Sequence, residues 1–299
     1  MIALLQLVLV LAIAPLVPGV INRTKAIVAG RRGQPLLQNY VDIIKLLRRD
    51  TVLSETTTLM FLAGPAVAFA AALLASLMLP MGAARAPIAF AGDVIVFVYL
   101  FAVARFFTTS AALDTGSAFE GMGAAREVTF ASLAEPALLL GMLALARLAH
   151  SLSLSGLLVV SGATWRAASA ALLLIIASWL IVLLAENSRV PFDDPNTHLE
   201  LTMIHEVMVL DHSGPAFGVV LYGSAIKLFV FSALVAQLVV PHAFNVPVNA
   251  ALTVAVILLL AVAIGIVESA MARLRLTRIP QLLVTATLVA AFAVVIVLK

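Results

Sequence analysis

Long apolar stretches without a single charge decide what this chain can fold into. Residues 1–22, 56–84, 167–185 and 279–298 contain no Asp, Glu, Lys or Arg. Neither does 228–267, which Pro241 and Pro247 divide into the end of one segment and the start of another. A helix needs about 20 apolar residues to cross a bilayer, and two further stretches reach that length around isolated charges. The expected fold is all-α: a polytopic membrane protein with eight spans at about 1–21, 57–80, 89–107, 128–149, 165–186, 215–240, 249–271 and 281–298. No internal repeat or low-complexity linker divides it, so residues 1–299 read as one integral membrane domain.

Composition agrees. Hydrophobic residues make up 63% of the chain and charged residues 11%, against about 45–50% and 25% in soluble domains. Cysteine is absent, which excludes disulfides, thiolate-held iron–sulfur clusters and Cys zinc sites. Redox chemistry therefore belongs to a partner or a diffusible substrate. The net charge of +3 is small, and the basic residues sit beside spans, so a nucleic-acid partner is not expected. The first 22 residues lack a basic region before the apolar run. That suits an uncleaved helix with its N-terminus outside.

Eight spans put both termini on one side, and the connections then fall into two classes. One class (22–56, 108–127, 187–214, 272–280) concentrates the basic residues, from Arg23 and Lys25 through Arg126 and Arg189 to Arg278. The other (81–88, 150–164, 241–248) carries only Arg85 and no acid. The positive-inside rule makes the first class cytoplasmic and leaves both termini outside. The polar chemistry then faces the cytoplasm, which favours docking of a cytoplasmic partner over reception of an external ligand.

The first inner connection is amphipathic: Leu36, Leu37, Tyr40, Ile43, Ile44 and Leu47 recur at helical spacing opposite Asp42, Lys45, Arg48 and Arg49. It reads either as a helix lying in the membrane interface or as a cover for a cavity or partner surface. The second contains Gly116, Gly121 and Gly123 before Arg126 and Glu127. Without a strand–turn–helix context its Gly-Met-Gly run is no nucleotide fingerprint, and it reads as flexible backbone at a protein contact. The third, ENSRVPFDDPNTHLELTMIHEVMVLDHSGP (186–215), is the most polar part of the chain. Thr197 and Glu200 have capping-box spacing, in a helix that would place His198, Thr202 and His205 on one face. The run HEVMV lacks the second His of the zinc-hydrolase motif, so neither a metal nor a catalytic residue is assigned.

Asp93, Glu135, Lys227 and Glu268 lie within the expected spans, Glu186 closes one, and Arg105 and Arg147 sit near span ends. An unpaired charge at bilayer depth costs roughly 2.5–3.5 kcal/mol on insertion scales, so such groups pair or line an ion path. Two readings stay open: a proton relay of titrating carboxylates, or a static lock, for example Glu135 with Lys227.

Five segments then carry a resemblance: RRGQPLLQNYVDIIKLL (31–47), GDVIVFVYLFAVARFF (92–107), LDTGSAFEGMGAARE (113–127), ENSRVPFDDPNTHLELTMIHEVM (186–208) and ESAMARLRLTRIPQLL (268–283). In this order they resemble the membrane subunit shared by respiratory complex I (its subunit 1) and the energy-converting nickel–iron hydrogenases. The formate hydrogenlyase type, subunit 4, is the nearer branch. The resemblance implies a multi-pass subunit of the cell membrane with no redox centre of its own. It would anchor a hydrophilic arm, whose hydrogenase large and small subunits carry the nickel–iron site and iron–sulfur clusters, to antiporter-like membrane subunits. It further implies that Glu127, Glu135, Glu186, Asp193, Glu200 and Glu206 serve coupling, joined by the intramembrane Asp93, Lys227 and Glu268. Gln34, Arg126, Arg189 and Arg278 would dock the arm or organise the loops. Where complex I relatives carry an acidic stretch, this chain reads Asp194-Pro195-Asn196-Thr197-His198, which favours the hydrogenase branch; Phe192 leans towards the quinone branch. A complex I subunit walling a quinone chamber and a standalone cation transporter are the alternatives. A transporter should show inverted repeats, and none is visible.

Overall fold

A computed structural model describes residues 2–54, 56–82, 84–193 and 203–299. Among them there is no strand. The helices are α1 (Ile2–Ile13), α2 (Leu16–Val28), α3 (Gln38–Leu47), α4 (Leu59–Met78), α5 (Asp93–Asp114), α6 (Ala118–Ala149), α7 (Leu154–Leu158), α8 (Gly162–Glu186), α9 (Gly214–Val239), α10 (Val246–Ala270) and α11 (Ile279–Leu298). Eight segments are long and apolar enough to cross a membrane, with α1 and α2 together making the first. The eight expected spans are therefore found.

The first span is broken where an unbroken helix was expected. Pro15 lacks the N–H that would serve the Leu11 carbonyl. Tyr222 on α9 donates its hydroxyl to that carbonyl at 2.8 Å instead. Tyr40 donates to the Ala12 carbonyl and Asn39 to the Pro15 carbonyl, both from α3. The break is thus satisfied by side chains of two other helices, as apolar surroundings demand.

The centre of the bundle is α9. Of its most apolar window 67% is buried, against 22–44% in the other seven spans. It packs against α4, α3, α10 and α8. Lipid is as apolar as leucine, so close contact rather than hydrophobicity sorts the spans. Gly64 on α4 shows how: a Cβ there would stand 2.7 Å from the Ala111 Cβ on α5.

The second inner connection is shorter than expected. Residues 108–114 continue α5 and 118–127 begin α6, leaving only 115–117 between helices. Gly121 and Gly123 are helical, so the expected flexible backbone is not there. Gly123 does sit at a protein contact: a Cβ on it would run into the Val207 side chain and lie 2.9 Å from the Ile204 carbonyl oxygen.

Candidate functional site

An arginine past the middle of a membrane span needs partners, and Arg105 on α5 gathers three. One guanidinium nitrogen donates to Glu135 on α6, another to Glu186 at 2.8 Å, and Nε lies 4.0 Å from Glu127. Glu186, the last residue of α8, turns its second oxygen to Lys227 Nζ on α9 at 2.9 Å. Four helices thus meet in one charge cluster. The expected Glu135–Lys227 pair does not form: Glu135 goes to Arg105 and Lys227 to Glu186. Three carboxylates face two cations, so the fully ionised cluster carries one negative charge in excess.

Arg105, Glu127, Glu186 and Lys227 of this cluster line a cavity of about 260 Å³, together with the apolar Phe69, Phe101 and Ala72 and with Asn39, Asp42 and Ile43 of α3. His205 and Glu206, from the third inner connection, line it too. That connection is held by both polar and apolar contacts. Phe192 and Ile204 are buried with Ala134, Ile279 and Leu283, between α6 and α11. Asp193 pairs with Arg273 at 3.0 Å and accepts from the Ile204 and His205 N–H groups at 2.9 and 3.3 Å. Arg126 donates to the Met203 carbonyl at 2.9 Å. Asp193 and residues 204–205 are thereby held together. Glu200, His198 and the proposed capping box lie outside the described residues. The helix expected to carry His205 is absent at that residue: 203–205 is irregular, followed by a single 3-10 turn, Glu206–Val209.

Glu268 occupies a second position on the same seam. Lys25, at the end of α2, stands 2.9 Å from it and Arg189 3.6 Å. Leu274 N–H donates to the Pro191 carbonyl at 3.0 Å. The connection after α10 is therefore tied to the start of the third inner connection by Arg189–Glu268, Arg273–Asp193 and this backbone bond.

Asp93 stands apart. It opens α5, 12 residues before Arg105, roughly 18 Å along the helix axis. It is fully buried, and its carboxylate accepts from Leu154 N–H at 2.6 Å, Ser153 Oγ at 2.8 Å and Phe90 N–H at 3.2 Å. Asp93, expected on the coupling path, thus bonds the start of α7 and lies away from the Arg105 cluster. Gln34 and Arg278 are exposed. Sequence reasoning passed over Arg105, Lys25 and Arg273 when choosing site residues. Arg105 carried a signal, as a guanidinium inside an apolar run; the pairings of Lys25 and Arg273 are with segments distant in sequence.

His212 completes the cavity wall. Its ring stacks on Phe61 at 3.9 Å, and Nε2 lies 3.2 Å from the Phe61 carbonyl oxygen. A carbonyl only accepts, so Nε2 carries the proton. Burial pushes this imidazole below its ordinary value, against the opposing Phe61 hydrogen bond and the nearby Asp211 charge. Among the described residues no group of three or more His, Cys, Asp or Glu side chains is arranged to hold a metal ion.

Comparison with known proteins agrees with this architecture. The NADH dehydrogenase family matches residues 1–299. The chain is 33% identical to formate hydrogenlyase subunit 4 of Escherichia coli K12 over 286 residues, 93% of this chain and 92% of that one. It is 33% identical to hydrogenase-4 component C of the same organism over 239 residues, 80% and 75% of the two chains. An NADH-quinone oxidoreductase subunit of Chlorobium luteolum is 27% identical over 208 residues, 67% of this chain and 55% of that one. A chain of the archaeal membrane-bound sulfane sulfur reductase superposes with a TM-score of 0.83 at 22% identity, covering 99% and 98% of the two chains. At that identity the likeness concerns the fold.

Proposed function

The chain belongs to the NADH dehydrogenase family, and from that premise we propose that it is the anchoring and coupling subunit of a formate hydrogenlyase-type, energy-converting hydrogenase complex in the cell membrane. Its family and its relatives make it a membrane subunit of complexes of this kind; the finer role rests on the site. The observation that carries it is the cluster of Arg105, Glu127, Glu135, Glu186 and Lys227 beneath the third inner connection, with one carboxylate more than the cations can neutralise.

The inner connections face the cytoplasm and receive the hydrophilic arm, whose large and small subunits hold the nickel–iron site and the iron–sulfur clusters. Both termini then lie outside. A change in the arm moves the third connection. Asp193, Arg189 and Glu206 pass that movement to the walls of the cavity. The five-group cluster answers by taking up or releasing a proton, because any shift of Arg105 between its carboxylates changes which of them stays ionised. Antiporter-like membrane subunits carry the ion onward.

Glu135→Gln tests the coupling step. Glutamine still accepts from Arg105 but cannot ionise. In inverted vesicles the assembled variant keeps hydrogen-forming electron transfer and loses ion movement. Normal ion movement by an assembled Glu135→Gln complex removes Glu135 from the path.

A second reading has one observation in its favour. The cavity has an apolar wall next to its charged one, the shape a quinone head and tail would fit, and an NADH-quinone oxidoreductase protein is among the relatives. Affinity purification in mild detergent separates the readings. Nickel and a hydrogenase-type large subunit support the first. Nickel-free quinone-reductase partners support the second. A lone, stable protein overturns both.

A further inference from the structure

A buried carboxylate outside the Arg105 cluster has one oxygen more than its partners satisfy. Glu120, in the first turn of α6, is fully buried. Its Oε1 accepts the Asp211 N–H at 3.1 Å, and its Oε2 has no hydrogen-bond partner. The nearby Thr115 hydroxyl gives its proton to the Ala112 carbonyl at 2.8 Å. Among the described residues no cation pairs with Glu120. The elements around it bring little charge to it. Asp114 of α5 is bonded to Thr58, and His205 and Glu206 line the cavity. Further along α6, Arg126 donates to the Met203 carbonyl and Glu127 faces Arg105. Helix α9 is uncharged from Gly214 to Ile226. Asp211 adds a like charge. Burying an ionised carboxylate without a compensating partner is costly, so the group sits here as the neutral acid.

The sequence offers this carboxyl a second seat. Ser117 is the N-cap of α6 and Glu120 stands three residues on. That is capping-box spacing, in which the Glu side chain takes the N-cap N–H. The box is open in this structure: Ser117 makes no side-chain cap, and its N–H goes to Thr115 Oγ1 at 3.2 Å.

We propose that Glu120 is a proton-operated latch on the third inner connection: as the neutral acid it holds Asp211, and on ionising it swings to the Ser117 N–H. The two seats favour different charge states. Beside Asp211 the ionised form meets a like charge and no cation; at the start of α6 it meets free N–H groups and the positive end of the helix dipole. A proton therefore selects between the seats by differential interaction. The hold reaches the cavity, because Asp211 is followed by His212 on the cavity wall. Ser213 comes next, its hydroxyl bonded to the Val52 N–H and carbonyl at 2.9 and 3.0 Å. The upstream end of the connection is fastened by the ion pairs of Arg189 and Arg273; the latch gives the downstream end a bond that depends on a proton. Its use in coupling rests on the function proposed above, whereas the latch itself does not.

Hydrogen exchange of the purified complex tests the latch without reference to ion movement. It is read by mass spectrometry on peptides covering residues 205–213, corrected for the intrinsic pH dependence of amide exchange. In the parent, exchange should rise with pH between about pH 6 and 9, by up to about tenfold per pH unit for one proton. Glu120→Gln still accepts from the Asp211 N–H and cannot ionise, so its exchange should stay slow and level across the same range. Glu120→Ala removes the acceptor and should exchange fast throughout. Ser117→Pro deletes the N–H of the second seat at a φ of −73°, which proline adopts; its rise should move to higher pH. The same pH dependence in the parent and in Glu120→Gln overturns the latch, and so does fast exchange in Glu120→Gln at every pH, which would mean that the hold needs the ionised form. An unmoved rise in Ser117→Pro removes Ser117 as the second seat. The use in coupling is read separately in inverted vesicles: a Glu120→Gln complex with level exchange and normal ion movement has the latch and does not couple through it.

Discussion

At the scale of single residues, the chemistry centres on Arg105. Its side chain is 12% exposed and its carboxylate partners arrive from α6 and α8. Removing one partner of a buried charge network costs about 3–5 kcal/mol, because the charges left behind stay buried. Arg105→Met should lower the melting temperature of the purified complex more than Arg105→Lys, which keeps the charge but loses the forked geometry. Equal melting temperatures for the two variants would mean that charge does not hold the cluster. His212 gives a pH signature. Its folded pKa lies below the unfolded one, so the unfolded chain binds the proton first as pH falls. Its contribution to stability is therefore level above about pH 6.5, the ordinary imidazole value, and is lost as pH falls through that value. His212→Gln can still donate to the Phe61 carbonyl and does not titrate. Melting curves at pH 7.5 and about 5.5 should then differ less for the variant than for the parent.

At the scale of elements, close approach does most of the positioning. Gly123 lets the Ile204–Val209 segment lie directly on α6. Gly123→Val should push that segment away, at about 1–3 kcal/mol of overpacking, and make the third inner connection a faster target for limited proteolysis; an unchanged cleavage rate would show that the segment relaxes without cost. Tyr222 is the donor that the Pro15 break lacks. Tyr222→Phe leaves the Leu11 carbonyl without it, for about 1–3 kcal/mol if the group stays dry, read as a lower melting temperature. The eight spans were legible in the sequence because uncharged runs of this length have one stable environment. The break at Pro15 was less so: a proline marks a lost hydrogen bond but not which distant side chain replaces it. The helical course of 118–127 was hidden by its glycines: Gly123 admits a neighbour rather than bending the chain, whereas Gly116, at positive φ, makes the turn between α5 and α6.

At the scale of the whole molecule, the third inner connection is tied to the seam between α10 and α11. Arg189 to Glu268, Arg273 to Asp193 and Leu274 N–H to the Pro191 carbonyl make the tie. The ends of this surface are thus fixed on different parts of the bundle. Arg189→Ala should reduce the amount of hydrophilic arm that co-purifies with this subunit while leaving the eight spans in place; unchanged recovery of the arm would remove Arg189 from docking. The same tie gives Lys25, at the end of the first span, a share in the surface through Glu268.

The sequence by itself determined that the chain spans a membrane eight times, which connections are polar, and which residues are too costly to bury alone. These are one-dimensional properties, set by transfer free energies that act on each segment separately. The family was readable for a related reason, since its motifs are contiguous. Pairing was decided only by the tertiary structure. Arg105, Glu135, Glu186 and Lys227 come from four helices, and nothing in their spacing ranks Glu135 with Arg105 above Glu135 with Lys227. Asp93 looked like its fellow carboxylates in the sequence, yet the fold surrounds it with N–H and O–H donors about 18 Å away. A buried charge fixes the demand for a partner, and helix packing alone decides which group comes near enough to meet it.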